Sequence, residues 1–251
     1  MEYAEWAPYY DRIRAEFGFP FDREVVAADL LDSLLPPNVP VDPLVKLRPL
    51  IEGRTVVVVG LAPRAGPPPL WRLPPTVRSP AIIAADGATA TCLDAGFVPT
   101  IVVTDLDGPV AAEVAANRRG SVVVVHAHGD NLRALEEWVG QFPGEVVGSW
   151  AGPPRPHLLN VGGFTDGDRA AYLADHLRAE KVLLWAFDFE RTAPTDVAAH
   201  EAKLVKLTWA ERMLGELAAQ GRSPLFLWRS DGTVAPYPPE RYVESTSNTT
   251  F

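Results

Sequence analysis

The chain has 251 residues, 47% of them hydrophobic, enough to bury a core and too apolar for a disordered segment. Its formal charge of −9 argues against a protein that holds nucleic acid by neutralising phosphates, because that task needs clustered Lys and Arg. The lone cysteine, Cys92, excludes an internal disulfide and a Cys-built zinc cage, and reads as a buried structural thiol. No apolar run approaches the roughly 20 residues that span a bilayer, and Met1 to Trp6 lacks a basic start and an apolar stretch. The expectation is a cytoplasmic protein with no membrane partner. Gln occurs only at Gln141 and Gln220 while prolines crowd the loops, a composition expected of a heat-adapted source.

In chain order, residues 2–51 read as helical, with Tyr10, Ile13 and Phe17 forming one apolar stripe and Val25, Val26, Leu30 and Leu34 another. Short apolar or β-branched runs then follow at 55–59, 81–85, 100–103, 121–125, 145–148 and 181–187, bounded by Gly, Pro or Asp. Runs that are apolar at nearly every position describe strands buried on both faces. Helix-compatible stretches separate them at 88–95, 110–117, 132–140 and 169–179, and a longer amphipathic helix is expected over 197–219. Near the end, 225–229 and 233–236 flank Ser230-Asp231-Gly232, a hairpin signal, and the polar stretch 244–250 reads as a frayed tail. The fold class is therefore α/β, a mostly parallel twisted sheet flanked by helices, with a helical segment at 1–52, the main domain at 53–251 and a small terminal hairpin.

In such a sheet ligands bind beyond the carboxyl ends of the strands. Four of those ends carry acids: Asp86-Gly87, Asp105-Leu106-Asp107, His126-Ala127-His128-Gly129-Asp130-Asn131 and Asp188. Asp105 and Asp107 are two residues apart, so in an extended chain both carboxylates leave on one side and suit a hard cation that bridges to a polyphosphate. The competing reading makes Asp86, Asp107 and Asp130 helix N-caps. His126 and His128 share the same spacing and can ligate a metal, contact phosphate or substrate, or serve the fold. Gly162-Gly163-Phe164-Thr165-Asp166-Gly167-Asp168-Arg169 reads as a turn entering a helix, where free N–H groups favour an anion, with a capping box from Thr165 to Asp168 and a fixed charge on Arg169. On the long helix, a wheel built on Leu207, Ala210, Leu214 and Leu217 aims Lys203 inward and puts Lys206 on its flank. Lys203 could then reach phosphate oxygens, or either lysine could run out to solvent.

The ordered set ADGA, VTDLDG, HAHGDN and NVGGFTDGDRA, spaced by strand-helix units between Val56 and Leu207, resembles the archaeal 6-hydroxymethyl-7,8-dihydropterin pyrophosphokinases, a group related in fold to thiamine pyrophosphokinase. The resemblance implies transfer of diphosphate from ATP to the pterin hydroxymethyl group, releasing AMP, in folate or tetrahydromethanopterin synthesis. It implies Mg²⁺ and catalytic work on Asp105, Asp107 and Asp130, and nucleotide or substrate contacts from Asp86, Gly87 and the loop with Gly162, Gly163, Thr165, Asp166 and Arg169; the strand-end and helix readings add His126 and His128 to the catalytic set and Asn131, Asp188, Lys203 and Lys206 to the contacts. It also suggests a homodimer. His126, His128 and Asn131 stand where thiamine pyrophosphokinase has carboxylates, which disfavours thiamine as acceptor. The turn Gly60-Leu61-Ala62-Pro63-Arg64 departs from the Gly-x-Gly-Pro-Ser of that group. A nucleotide-sugar-dependent glycosyltransferase, for which a strand-end Asp-x-Asp is equally sensible, and a non-catalytic nucleotide sensor are the competing functions.

Overall fold

A computed structural model describes residues 1–63, 65–75, 77, 79–191 and 197–238, without the side chains of 197–200. Arg64 and the polar tail at 244–250 lie outside the described residues. The elements run α1 (Tyr3–Phe17), α2 (Phe21–Leu34), α3 (Leu44–Ile51), β1 (Thr55–Val59), β2 (Ala81–Ala85), α4 (Ala88–Asp94), β3 (Ile101–Thr104), α5 (Val110–Arg118), β4 (Val122–Ala127), α6 (Leu132–Trp138), β5 (Val146–Trp150), β6 (Leu158–Leu159), α7 (Asp166–His176), β7 (Lys181–Trp185), α8 (Val197–Gln220), β8 (Leu225–Trp228) and β9 (Val234–Pro236).

The sheet has the order β6-β5-β4-β3-β2-β1-β7-β8-β9, parallel throughout except for the antiparallel pair β8 and β9. Its central strands are runs such as Thr-Val-Val-Val-Val and Ala-Ile-Ile-Ala-Ala, buried at every position. β-Branched side chains suit the pleat, and burial on both faces removes the need for alternation. Residues alternate between the two faces of the sheet instead, where they join three cores. Val56, Val58, Ile83, Val103 and Val124 face α1, α3, α7 and α8, whereas Val102, Val123 and Val125 face α2, α5 and α6, and Val57, Val59 and Ala84 pack against α4. Residues 1–52 thus contribute to both faces of the sheet. From α1, Trp6, Tyr10 and Ile13 are buried one turn apart, and the Trp6 indole N–H donates to Ala151 O at 2.8 Å. Cys92 lies in the α4 core, where burial pushes its thiol up to about 12, in keeping with a structural role.

Several bounds differ from the sequence reading by one to three residues, as in α7, expected over 169–179, and one short strand was not expected. The run 181–187 ends as a strand at Trp185, because Ala186 adopts φ 59 and its carbonyl accepts from Ala62 N–H at 2.9 Å. The two-residue strand β6 is too short to leave a period in the sequence. β1 is the point where the chain changes direction across the sheet, with β2 on one side and β7 on the other. Crossovers through α4, α5 and α6 cover one face and α7 covers the other, so the carboxyl ends of β1 to β4 open between two layers of helices.

Candidate active site

The acidic strand ends converge as a three-carboxylate group. Asp86, Asp105 and Asp107 each offer an oxygen, and these oxygens lie within 4.8 Å of one another. None of the three, nor Asp130, is a helix N-cap: those positions belong to Gly87, Pro109 and Asn131. The capping alternative therefore fails for the whole set.

The Asp-Leu-Asp segment does not stay extended. Leu106 takes φ 69 with its side chain buried in the α2, α5 and α6 core, and its N–H donates to Thr104 Oγ1 at 2.9 Å. The buried apolar residue folds the segment into a turn, and Asp105 Oδ1 accepts Asp107 N–H at 3.3 Å. Asp105 and Asp107 still meet, by a tight turn anchored in the core rather than by alternation along a strand. On the next strand end, Thr104 Oγ1 donates to Asp86 Oδ1 at 3.2 Å, and the residue at 108 is a glycine whose added Cβ would collide with the Asp86 carboxylate. Crowding shows in the acidities. Burial raises Asp107 to about 6, with Asp105 and Asp86 adding to the rise. Asp105 falls to about 2 despite its burial, because the His128 hydrogen bond and charge and the charge of Arg169 outweigh it.

The imidazoles divide. His128 Nε2 lies 3.5 Å from Asp105 Oδ2, while its Nδ1 accepts from Asp130 N–H at 3.3 Å, which leaves the proton on the nitrogen facing the acid. His126 is buried and turned to Ser149, with Nδ1 3.0 Å from its hydroxyl; burial first, then Arg169 and His128, lower it well below the ordinary imidazole value. Asn131 is nearly buried. Its amide donates to Asp105 O and His126 O, both at 2.8 Å, and accepts from His128 N–H at 3.0 Å, so all of it is spent tying the β3 and β4 loops together. Asp130 stands apart from the carboxylate group, exposed and 3.7 Å from Arg23 Nη1. Asp130, expected beside Asp105 and Asp107, thus lies outside their carboxylate group, and Asp86 stands there instead. Positions two apart in sequence cannot report which strand ends lie side by side.

The glycine-rich turn has the predicted capping box. Asp168 accepts from Phe164 N–H at 2.6 Å and Thr165 N–H at 2.7 Å, and the Thr165 side chain bonds in return to the third helical N–H. Gly162 and Gly163 sit at φ 85 and 87, and a Cβ on Gly163 would come within 2.5 Å of the Arg169 backbone, so no other residue fits there. The helix start carries Asp166 and Asp168 in its own first turn, so carboxylates already answer the dipole. The turn instead presents Asp166, 2.9 Å from Arg169 Nη1, toward the acid group. Burial and then Asp105 push Asp166 well above the usual carboxylate range.

Three other predicted residues stay outside the group. Asp188 accepts from Glu190 and Arg191 N–H and pairs with Arg191 Nε at 2.7 Å, closing its own turn. Lys203 is exposed, because the buried stripe of α8 begins at Trp209 and continues through Ala210, Met213, Leu214 and Leu217. Lys206 is exposed as well, yet its charge reaches Asp107 and draws its pKa down. The preference for Lys203 is reversed, since the wheel extended an inward face past the point where α8 leaves the body of the protein.

Glu113 escaped the sequence reading. It is fully buried on α5, its carboxyl oxygens lack any hydrogen-bond partner among the described residues, and Asp86 and Thr104 are its polar neighbours. Burial and then the Asp86 charge push it up to about 9. The available signal was a lone acid on the apolar stripe Val110, Glu113, Ala116.

Comparison with known proteins gives the family of the chain. A family model described as 6-hydroxymethylpterin diphosphokinase MptE-like matches residues 37–193. The chain belongs to that family. The 6-hydroxymethyl-7,8-dihydropterin pyrophosphokinase of Methanocaldococcus jannaschii is 37% identical over 86% of this chain and 96% of that protein. The protein of the same name from Pyrococcus furiosus is also 37% identical, over 90% of this chain and 98% of its own length. Among solved structures, thiamine pyrophosphokinase from Bacillus subtilis is 15% identical with a TM-score of 0.34, covering 69% of this chain and 59% of that one, too slight a likeness to carry an argument about the site. No helix of the described residues is long and apolar enough to cross a membrane.

Proposed function

We propose that the chain transfers the β,γ-diphosphoryl group of ATP to the hydroxymethyl oxygen of 6-hydroxymethyl-7,8-dihydropterin, releasing AMP, with the product entering folate or tetrahydromethanopterin synthesis. The observation that carries this reading is the convergence of Asp86, Asp105 and Asp107 in a chain of the pterin diphosphokinase family. Three carboxylate oxygens within 4.8 Å of one another, with Asp107 raised to about 6 by burial and then by its acidic neighbours, form a donor set that a hard divalent cation fits. Mg²⁺ bound there would neutralise charge on the polyphosphate.

The chain's own residues would do the rest by positioning, which supplies most of the rate in phosphoryl transfer. The Thr104 and Asn131 hydrogen bonds hold the acids in place, and Arg169, buried and oriented by Asp166 and Phe164 O, sets a fixed positive charge beside them. The acceptor oxygen bonds to the β-phosphorus as the bond from that phosphorus to the AMP oxygen breaks, and the hydroxyl proton passes to a basic side chain at the strand ends. Lys206, whose charge already acts on Asp107, is the better placed of the two lysines to meet phosphate.

Incubation of the purified chain with ATP, Mg²⁺ and 6-hydroxymethyl-7,8-dihydropterin should yield AMP and the pterin diphosphate, and AMP should not form without the pterin. Hydrolysis of a nucleotide-sugar, or tight ATP binding without turnover, would sink the proposal.

A further inference from the structure

Both ring nitrogens of His128 have defined places. Nδ1 accepts the Asp130 N–H at 3.3 Å, and Nε2 faces Asp105 Oδ2 at 3.5 Å. A ring nitrogen that accepts carries no hydrogen, so the imidazole hydrogen sits on Nε2, on the side of the carboxylate. The backbone of the loop after β4 thus sets which nitrogen the ring turns to the acid group. With Nδ1 accepting and Nε2 protonated, neither nitrogen keeps a free lone pair for a substrate proton, which separates His128 from a general base.

The loop that carries the ring is braced from two sides. Asn131 Oδ1 accepts the His128 N–H at 3.0 Å while Asn131 Nδ2 donates to Asp105 O at 2.8 Å, so one side chain ties the residue bearing the imidazole to the residue bearing the acid. From the other side the start of α2 presses on the loop: a Cβ on Gly129 would come within 2.8 Å of Arg23 Cβ and 3.4 Å of Glu24 N. The contacts on Asp105 are divided between its oxygens. Oδ1 accepts the Asp107 N–H at 3.3 Å and Oδ2 faces His128, so the two together set the rotation of the carboxylate. Asp86 is held differently, by the Thr104 hydroxyl.

We infer that His128 is a positioning residue that acts through Asp105: its Nε2–H fixes the rotation of that carboxylate, so that an Asp105 oxygen stays grouped with those of Asp86 and Asp107 as a divalent cation requires. The inference rests on the cation reading of the acid group. It goes beyond that reading in assigning the imidazole, which the sequence placed among the catalytic residues, to holding a ligand in place and not to moving a proton. Groups that orient a metal ligand from behind change metal affinity or activity by roughly 10- to 100-fold when removed.

The test uses the full chain and the different reach of two amides. In His128→Asn the side-chain oxygen can stand near the position of Nδ1 and keep the Asp130 N–H, while nothing reaches Asp105. In His128→Gln the amide N–H can stand near the position of Nε2 and keep the contact with Asp105. Mn²⁺ binding without nucleotide, read by electron paramagnetic resonance, should weaken about tenfold or more in His128→Asn and stay within about threefold of wild type in His128→Gln. In AMP release, the Mg²⁺ concentration for half-maximal rate should rise by about the same factor in His128→Asn, with KM for the pterin within about twofold. Equal weakening in the two variants, or wild-type Mn²⁺ affinity in His128→Asn, overturns the assignment, and AMP release by the wild type then leaves the proposed reaction standing. Mn²⁺ binding decides the role of His128 even where the wild type fails to convert the pterin, a result that overturns the reaction alone. A wild-type chain that binds no Mn²⁺ overturns the assignment together with the cation reading.

Discussion

The Asp86 carboxylate occupies the space that a Cβ on Gly108 would need. The residue after the Asp-Leu-Asp turn is therefore part of the acid group although it contributes no atom to it. Gly108→Ala should displace Asp86 from Asp105 and Asp107 and lower Mg²⁺-dependent turnover about as severely as Asp86→Asn, with circular dichroism unchanged. Asp105→Asn and Asp107→Asn should each reduce turnover on the order of 10²-fold or more, the scale of losing a group that stabilises transferred charge. AMP release at saturating Mg²⁺ measures all four, and wild-type rates in Asp105→Asn or Asp107→Asn would remove the cation assignment.

Mg²⁺ should stabilise the protein more at neutral pH than at acid pH. Asp107 has a folded value raised from 3.8 to about 6, so the metal-free chain loses stability as pH rises across that interval, the proton being held more tightly folded than unfolded. Above about 6 the cation relieves the crowding, and below it a proton already has. The Mg²⁺-induced rise in Tm, read by differential scanning fluorimetry, should shrink as pH falls through that value; a rise independent of pH would contradict the grouping.

Glu113→Gln should stabilise the metal-free chain increasingly toward alkaline pH. The native group is raised from 4.5 to about 9, so its folded form holds a proton that the unfolded form has released, and wild-type stability declines as pH climbs through that window. The gain at pH 8 should be on the order of 5 kcal/mol, since pH 8 lies well above the unfolded value of 4.5 and each unit corresponds to about 1.4 kcal/mol. Urea denaturation at several pH values reads it directly, and a gain that does not grow with pH would show Glu113 to be ionised.

Asn131→Ala should cost about 2–4 kcal/mol, because it strands the buried groups that its amide now serves. The same variant should lose activity beyond what its stability predicts, as the β3 and β4 loops separate. Comparing kcat with the urea midpoint distinguishes that outcome from simple loss of fold.

Much of this architecture was legible in the chain. Thr55–Val59 and Ala81–Ala85 announce themselves because strands buried on both faces need nothing but apolar, β-branched residues between turn signals. The Thr165 to Asp168 capping box is likewise a local pattern. Grouping is not local. That Asp86 rather than Asp130 joins Asp105 and Asp107 depends on the strand order and on Leu106 turning inward, neither of which a two-residue spacing encodes. Ser149 and Glu113 were missed for a related reason: each is a single polar residue in an apolar setting, and only its neighbours in space give it meaning.

Leu106 places the spacing of two carboxylates under the control of the hydrophobic interior. Its side chain belongs to the core shared with α2, α5 and α6, so the distance between Asp105 and Asp107 is a mechanical property of packing as much as of the loop. Cation affinity becomes tunable from beneath: trimming or reshaping a residue that no ligand touches, such as Val110 or Leu106 itself, would widen or narrow the grip without altering a single charge.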